Sequence, residues 1–74
     1  MKDFEMGNKV KVARVEKDLT QQDLADLIGV TRQTIGLIEA GKYNPTLKLC
    51  LAIASVTGRS LDQLFWIKGQ DNEE

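Results

Sequence analysis

Arg32 and Gln33 stand side by side in this 74-residue chain and are of types that could do recognition chemistry. They are neighbouring planar groups, each able to offer paired hydrogen bonds to a flat partner. Their chemistry is recognition, not bond making. There is no histidine and only one cysteine, no glycine-rich phosphate loop, and no grouping of residues with metal-ligand spacing. The carboxylates Asp23, Asp26 and Asp62 are scattered and read as capping or solvated groups. Neither an enzyme, a metal site nor a cofactor is expected. Cys50 sits in an apolar run with Leu47, Leu49, Leu51, Ile53 and Ala54. It reads as a small core residue and has no partner for an intrachain disulfide.

Arg32 and Gln33 must be held by short helices, because the apolar positions recur at helical spacing and aromatic residues make up only 5% of the chain. Residues 1–7 lack a clear period and read as a loosely ordered arm, in which Phe4 or Met6 packs at most locally. A first helix is predicted over 8–17, with Val10, Ala13 and Arg14 on one side and Asp18 breaking the run. Thr20 has the marks of an N-cap, with Asp23 three residues on as the other half of a capping box. The helix it opens carries Leu24, Ala25, Leu27 and Ile28 and ends at Gly29, which can take the left-handed conformation. Thr31 then caps a third helix with Ile35 and Ile38 inward and Gly41 as its stop. Lys42, Tyr43, Asn44 and Pro45 form a polar connector, and Thr46 caps a fourth helix running to about Thr57 before Gly58. Ser60 caps a last helix from Leu61 to about Trp66.

Composition bounds the answer to one domain. With 42% hydrophobic and 28% charged residues, the chain is too apolar to be disordered and too short for a second core. A net charge of -1 and a pI near 5.4 count against a nucleic-acid binder, since such domains tend to be basic. The distribution softens that objection. Lys9, Lys11, Arg14, Lys17, Arg32, Lys42 and Lys48 fall within residues 9–48 against Glu16, Asp18, Asp23, Asp26 and Glu39, while Asp71, Glu73 and Glu74 crowd the C-terminal end. No stretch is apolar enough to span a membrane and the N-terminus lacks a signal-peptide core, so a cytoplasmic location without a membrane partner is expected.

Two short helices crossing steeply need a small residue where they touch, a turn, and apolar residues filling the angle. Ala25, Gly29, and the set Val30, Ile35 and Ile38 meet these requirements at once. The segment LTQQDLADLIGVTRQTIGLIEAGKYNP resembles the core of the phage-repressor and Cro-like (XRE-type) helix-turn-helix regulators, and the likeness extends over residues 9–66. It implies an all-α, compact five-helix domain in which helices 2 and 3 form the helix-turn-helix and helix 3 reads the major groove of double-stranded DNA.

On that geometry Thr31, Arg32, Gln33, Thr34, Gly36 and Leu37 face the base edges. Thr31, Arg32, Gln33, Thr34 and Leu37 carry the readout. Arg32 suits guanine O6 and N7, Gln33 suits adenine N6 and N7, and the methyls of Thr31 or Leu37 suit thymine. Outside such a motif an Arg-Gln pair is ordinarily a solvated helix face. The resemblance also implies phosphate contacts from Gln21 at the start of helix 2 and from Lys42, Tyr43 and Asn44 beyond helix 3. For Asn44 a simple turn role is enough, and Lys9 and Lys11 are equally well ordinary surface charges. Arg14 and Glu39 match positions that form a structural, partly buried ion pair in the resembling family.

Gly36 departs from that family's pattern, either for close backbone approach or because glycine is merely tolerated there. Val12, Val15, Leu49, Trp66 and Ile67 exceed what five helices need to bury. One recognition helix reads few base pairs, so a homodimer presenting two half-sites is expected, with Leu61, Trp66 and Ile67 as interface candidates and Phe65 as core. The resulting organisation is a flexible arm over 1–7, a DNA-binding domain over 8–67 and an acidic tail over 68–74. The function expected is a sequence-specific transcriptional regulator, a repressor. The alternative is an antitoxin-like or co-regulator module that holds a protein partner, which the low pI would suit.

Overall fold

Thr20, Thr31 and Thr46 each stand in extended backbone immediately before a helix. Their hydroxyls accept the amides of Asp23, Thr34 and Leu49 at 2.9, 3.2 and 3.2 Å. A computed structural model of the chain describes residues 5–68. Its elements are β1 (Met6–Asn8), α1 (Val10–Glu16), α2 (Gln21–Ile28), α3 (Arg32–Glu39), α4 (Leu47–Thr57), α5 (Leu61–Leu64) and β2 (Phe65–Ile67). The box at the start of α2 is reciprocal, since the Asp23 carboxylate accepts the Thr20 amide at 2.9 Å. Two bonds from the Thr20 backbone and hydroxyl hold the Asp23 carboxyl below its ordinary value. Glycines in the left-handed region end α2 and α4, at φ 79° for Gly29 and 71° for Gly58.

The five helices among the described residues agree with the sequence reading, but the fold is not purely helical. Residues 6–8, read as the end of a loose arm and the start of a helix, pair antiparallel with residues 65–67, read as the end of the last helix and beyond. Met6 faces Ile67, Gly7 faces Trp66 and Asn8 faces Phe65. The ladder continues at its ends, where Lys68 N–H donates to Glu5 O at 2.8 Å and Lys9 N–H to Leu64 O at 2.9 Å. Gly7 leaves room beside this pairing for the Trp66 ring. A Cβ built there would overlap the indole, which would have to turn aside for any other residue. Phe4 and the acidic Asp71, Glu73 and Glu74 lie outside the described residues.

Val10, Ala13, Leu24, Ala25, Ile35, Ile38, Ile53 and Leu64 form a single buried cluster drawn from all five helices. Each helix is too short to be stable alone, so this cluster holds them, each fully buried Leu or Ile contributing on the order of 1.5–3 kcal/mol. Cys50 is buried as expected, and burial pushes its thiol above the ordinary value. Two apolar assignments change. Leu27 is 61% exposed instead of facing inward, whereas Leu49 packs against the core instead of standing out from it. Helical period alone cannot separate two neighbouring positions at the margin of an apolar face.

Candidate nucleic-acid interface

The angle between α2 and α3 is closed as their spacing predicts. Ala25 is fully buried between them, and its carbonyl accepts both Gly29 N–H at 2.9 Å and Val30 N–H at 3.0 Å. One carbonyl thus fastens the whole turn. Ile35 and Ile38 are buried, which fixes the rotation of α3 about its axis and turns Arg32, Gln33 and Leu37 outward.

At the N-terminal end of α3, Arg32 and Gln33 are exposed, and neither is hydrogen-bonded or ion-paired to another described side chain. Thr31 is exposed but employed as the cap, with its hydroxyl 3.0 Å from that of Thr34. Thr34 is half-buried. Leu37, one turn further along the same face, is 38% exposed. Of the five positions picked out from sequence, Thr31, Arg32, Gln33 and Thr34 lie at the N-terminal end of α3 and Leu37 one turn further along it. Gly36 is half-buried and turned toward α2, where a Cβ would sit an ordinary 3.8 Å from Gln21 Nε2.

The flanking candidates divide. Lys42, Tyr43 and Asn44 are all exposed in the connector after α3, which leaves the helix through a left-handed Gly41 at φ 75° and a bond from Lys42 N–H to Leu37 O of 2.9 Å. Gln21 is differently engaged. Its side-chain amide donates to Glu39 Oε1 at 3.0 Å, across the motif.

That bond joins a network the sequence reading anticipated only in part. Arg14 Nε donates to Glu39 Oε2 at 2.7 Å and Nη2 to Oε1 at 3.3 Å, with side chains 10% and 6% exposed. Arg14 Nη1 also donates to Leu19 O at 2.8 Å. The Arg14–Glu39 pair thus ties α1 to the end of α3, and Gln21 adds the start of α2 to the same carboxylate. Sequence inspection missed Asn8 altogether. Its amide donates to Ile38 O at 2.9 Å and its Oδ1 accepts Val10 N–H at 3.1 Å. A bond across thirty residues has no local signature.

Glu16 pairs with Arg59 at the surface, and Asp26 and Asp62 are exposed and bonded only to near neighbours in the chain. Asp26 accepts from Gln22 at 2.8 Å and Asp62 from the Ser60 hydroxyl at 2.7 Å. No group of three or more metal-ligating side chains occurs among the described residues, and no described helix is long and apolar enough to cross a membrane.

Comparison with known proteins agrees with this geometry. A family model described as helix-turn-helix matches residues 10–64. An uncharacterized HTH-type transcriptional regulator of Methanocaldococcus jannaschii is 50% identical over 60 residues, covering 81% of this chain and 91% of that protein. The immunity repressor of Bacillus phage phi105 is 36% identical over 53 residues, which are 72% of this chain and 37% of the repressor. Among solved structures, the restriction-modification controller protein C.AhdI from Aeromonas hydrophila superposes with a TM-score of 0.67 at 30% identity, covering 73% of this chain and 82% of that one.

Proposed function

The chain belongs to the helix-turn-helix family matched over residues 10–64, a family of transcriptional regulators and not of enzymes, and from that premise we propose that it is a sequence-specific DNA-binding repressor that acts as a homodimer. The observation that carries this reading is the free, exposed Arg32 and Gln33 on a helix anchored in the core by Ile35 and Ile38. Such a helix presents its donors in a fixed orientation, so little ordering is needed when they meet a base edge. Thr31, Thr34 and Leu37 complete the base-facing surface. Lys42, Tyr43 and Asn44 contact phosphates on one side. Gln21 serves the other through the second hydrogen of its amide, the first being held by Glu39. The likeness to a phage immunity repressor supports repression over activation.

A dimer supplies the second half-site. Trp66 and Ile67 are 41% and 39% exposed beside a half-buried Leu61, and Leu47 and Leu51, 66% and 50% exposed on α4, extend the apolar surface available for it.

Selection of bound sequences from a random duplex pool tests the proposal. An inverted-repeat site is expected, with discrimination at one base pair per half-site relaxed by about 1–3 kcal/mol in Arg32→Ala and at another in Gln33→Ala. Lys42→Ala should weaken all sequences alike and reduce the salt slope by about one. Sedimentation should show a dimer on the operator. No enrichment from the pool, or affinity indifferent to salt, would refute DNA binding and favour a protein-held module.

A further inference from the structure

A cleft of about 300 Å³ lies between the end of α2, the turn that follows it and α4, with Ile28, Val30, Leu49 and Ala52 along its floor and Tyr43 and Lys48 also lining it. The floor residues are half-buried, while Tyr43 and Lys48 are exposed. The cleft is therefore apolar within and polar at the rim.

No carboxylate lines it. The Lys48 ammonium has no ion-pair partner among the described residues, and the Tyr43 hydroxyl makes no hydrogen bond to a described residue. Both donors are exposed and keep their water beside a neutral apolar occupant, whereas an anion gains a charge-assisted bond from Lys48 and a cation is repelled by it. The complementary ligand has an apolar body and one negative charge. The volume is at the lower end of what small-molecule pockets offer, which limits that body to a single ring or a short chain.

We propose that this cleft binds a small organic carboxylate, its hydrocarbon part against Ile28, Val30, Leu49 and Ala52 and its carboxyl group on Lys48 and Tyr43. The α4 backbone supplies the rigid wall. Its cap at Thr46, bonded to Leu49 N–H at 3.2 Å, fixes where Lys48 leaves the helix.

The test is an amide-shift titration of the isotopically labelled chain, without DNA, using 4-phenylbutyrate as probe and 4-phenylbutanol as its uncharged counterpart. The outcome is then independent of whether the chain binds an operator. Saturable shifts are expected at Ile28, Val30, Leu49 and Ala52, with the acid binding more tightly than the alcohol. Lys48→Gln, an exposed change that leaves the core intact, should weaken the acid about two- to fivefold and leave the alcohol unaffected. Ala52→Leu, which occupies part of the floor, should weaken both. The proposal is overturned if no shift saturates by about 10 mM. It is equally overturned if the shifts centre on Leu47 and Leu51, or if Lys48→Gln binds the acid as tightly as the parent chain.

Discussion

Glu39 receives three side-chain hydrogen bonds, two from Arg14 and one from Gln21, and its carboxylate is nearly withdrawn from solvent. Its removal leaves a guanidinium with one remaining acceptor at Leu19 O. Glu39→Ala should therefore cost about 3–5 kcal/mol, a large share of what so small a domain possesses, measurable by urea denaturation. Arg14→Met combined with Glu39→Leu should recover much of that loss, because no charge is then left unpaired. If Glu39→Ala melted like the parent but failed to bind DNA, Glu39 would be a contact residue instead of a structural one. Gly36 predicts the opposite sign. A methyl group there meets Gln21 at an ordinary distance and the site is helical, so Gly36→Ala should raise stability by up to about 1 kcal/mol, read as an increase in Tm. The pairing of Arg14 with Glu39 was legible from position and family likeness. The share of Gln21 in it was not, because an amide's partner is set by how α2 lies against α3.

At the scale of elements, caps and stops follow local rules and were readable. Thr20, Thr31 and Thr46 open helices, and Gly29 and Gly58 close them, because each acts through backbone groups within a few residues. The Thr20–Asp23 box carries a pH consequence. Asp23 has a folded pKa below the ordinary 3.8, so its stabilisation is fully present above that value and is lost as pH falls through the lowered folded one. Asp23→Asn should flatten this acid limb of the stability profile, measured by denaturation at stepped pH. The short sheet was not legible. Met6–Asn8 and Phe65–Ile67 are three residues each, too short to alternate, and the chain between them must fold before they meet. Gly7→Val places a branched side chain where the Trp66 ring lies. It should turn the indole aside and shift Trp66 emission to the red, while far-UV dichroism of the helices changes little.

For the molecule as a whole, helices of four to eleven residues share one core and cannot persist separately. Unfolding followed by Trp66 fluorescence, which reports the sheet, and by dichroism at 222 nm, which reports the helices, should give coincident transitions in the parent chain. Separate midpoints would mean that the sheet is an appendage. The paired strands bring residues 6–8 and 65–67 together and leave both Trp66 and Ile67 exposed, on alternate faces of the ribbon. Any dimer formed through Trp66 and Ile67 therefore depends on the sheet as well as on α5.

Local chemistry is what the sequence alone determined: the caps, the glycine turn, the inward faces of α2 and α3 apart from Leu27, and hence the end of α3 on which Arg32 and Gln33 are exposed. These features depend on steric and hydrogen-bonding rules that act over one or two helical turns. Tertiary structure alone decided the β1–β2 pairing, the bond from Asn8 to Ile38 O, the sharing of Glu39 by Arg14 and Gln21, and the exchange of Leu27 for Leu49 at the core's edge. Each joins groups far apart in the chain or lies at the margin of an apolar face, where packing against neighbours, not helical period, sets which side chain is covered.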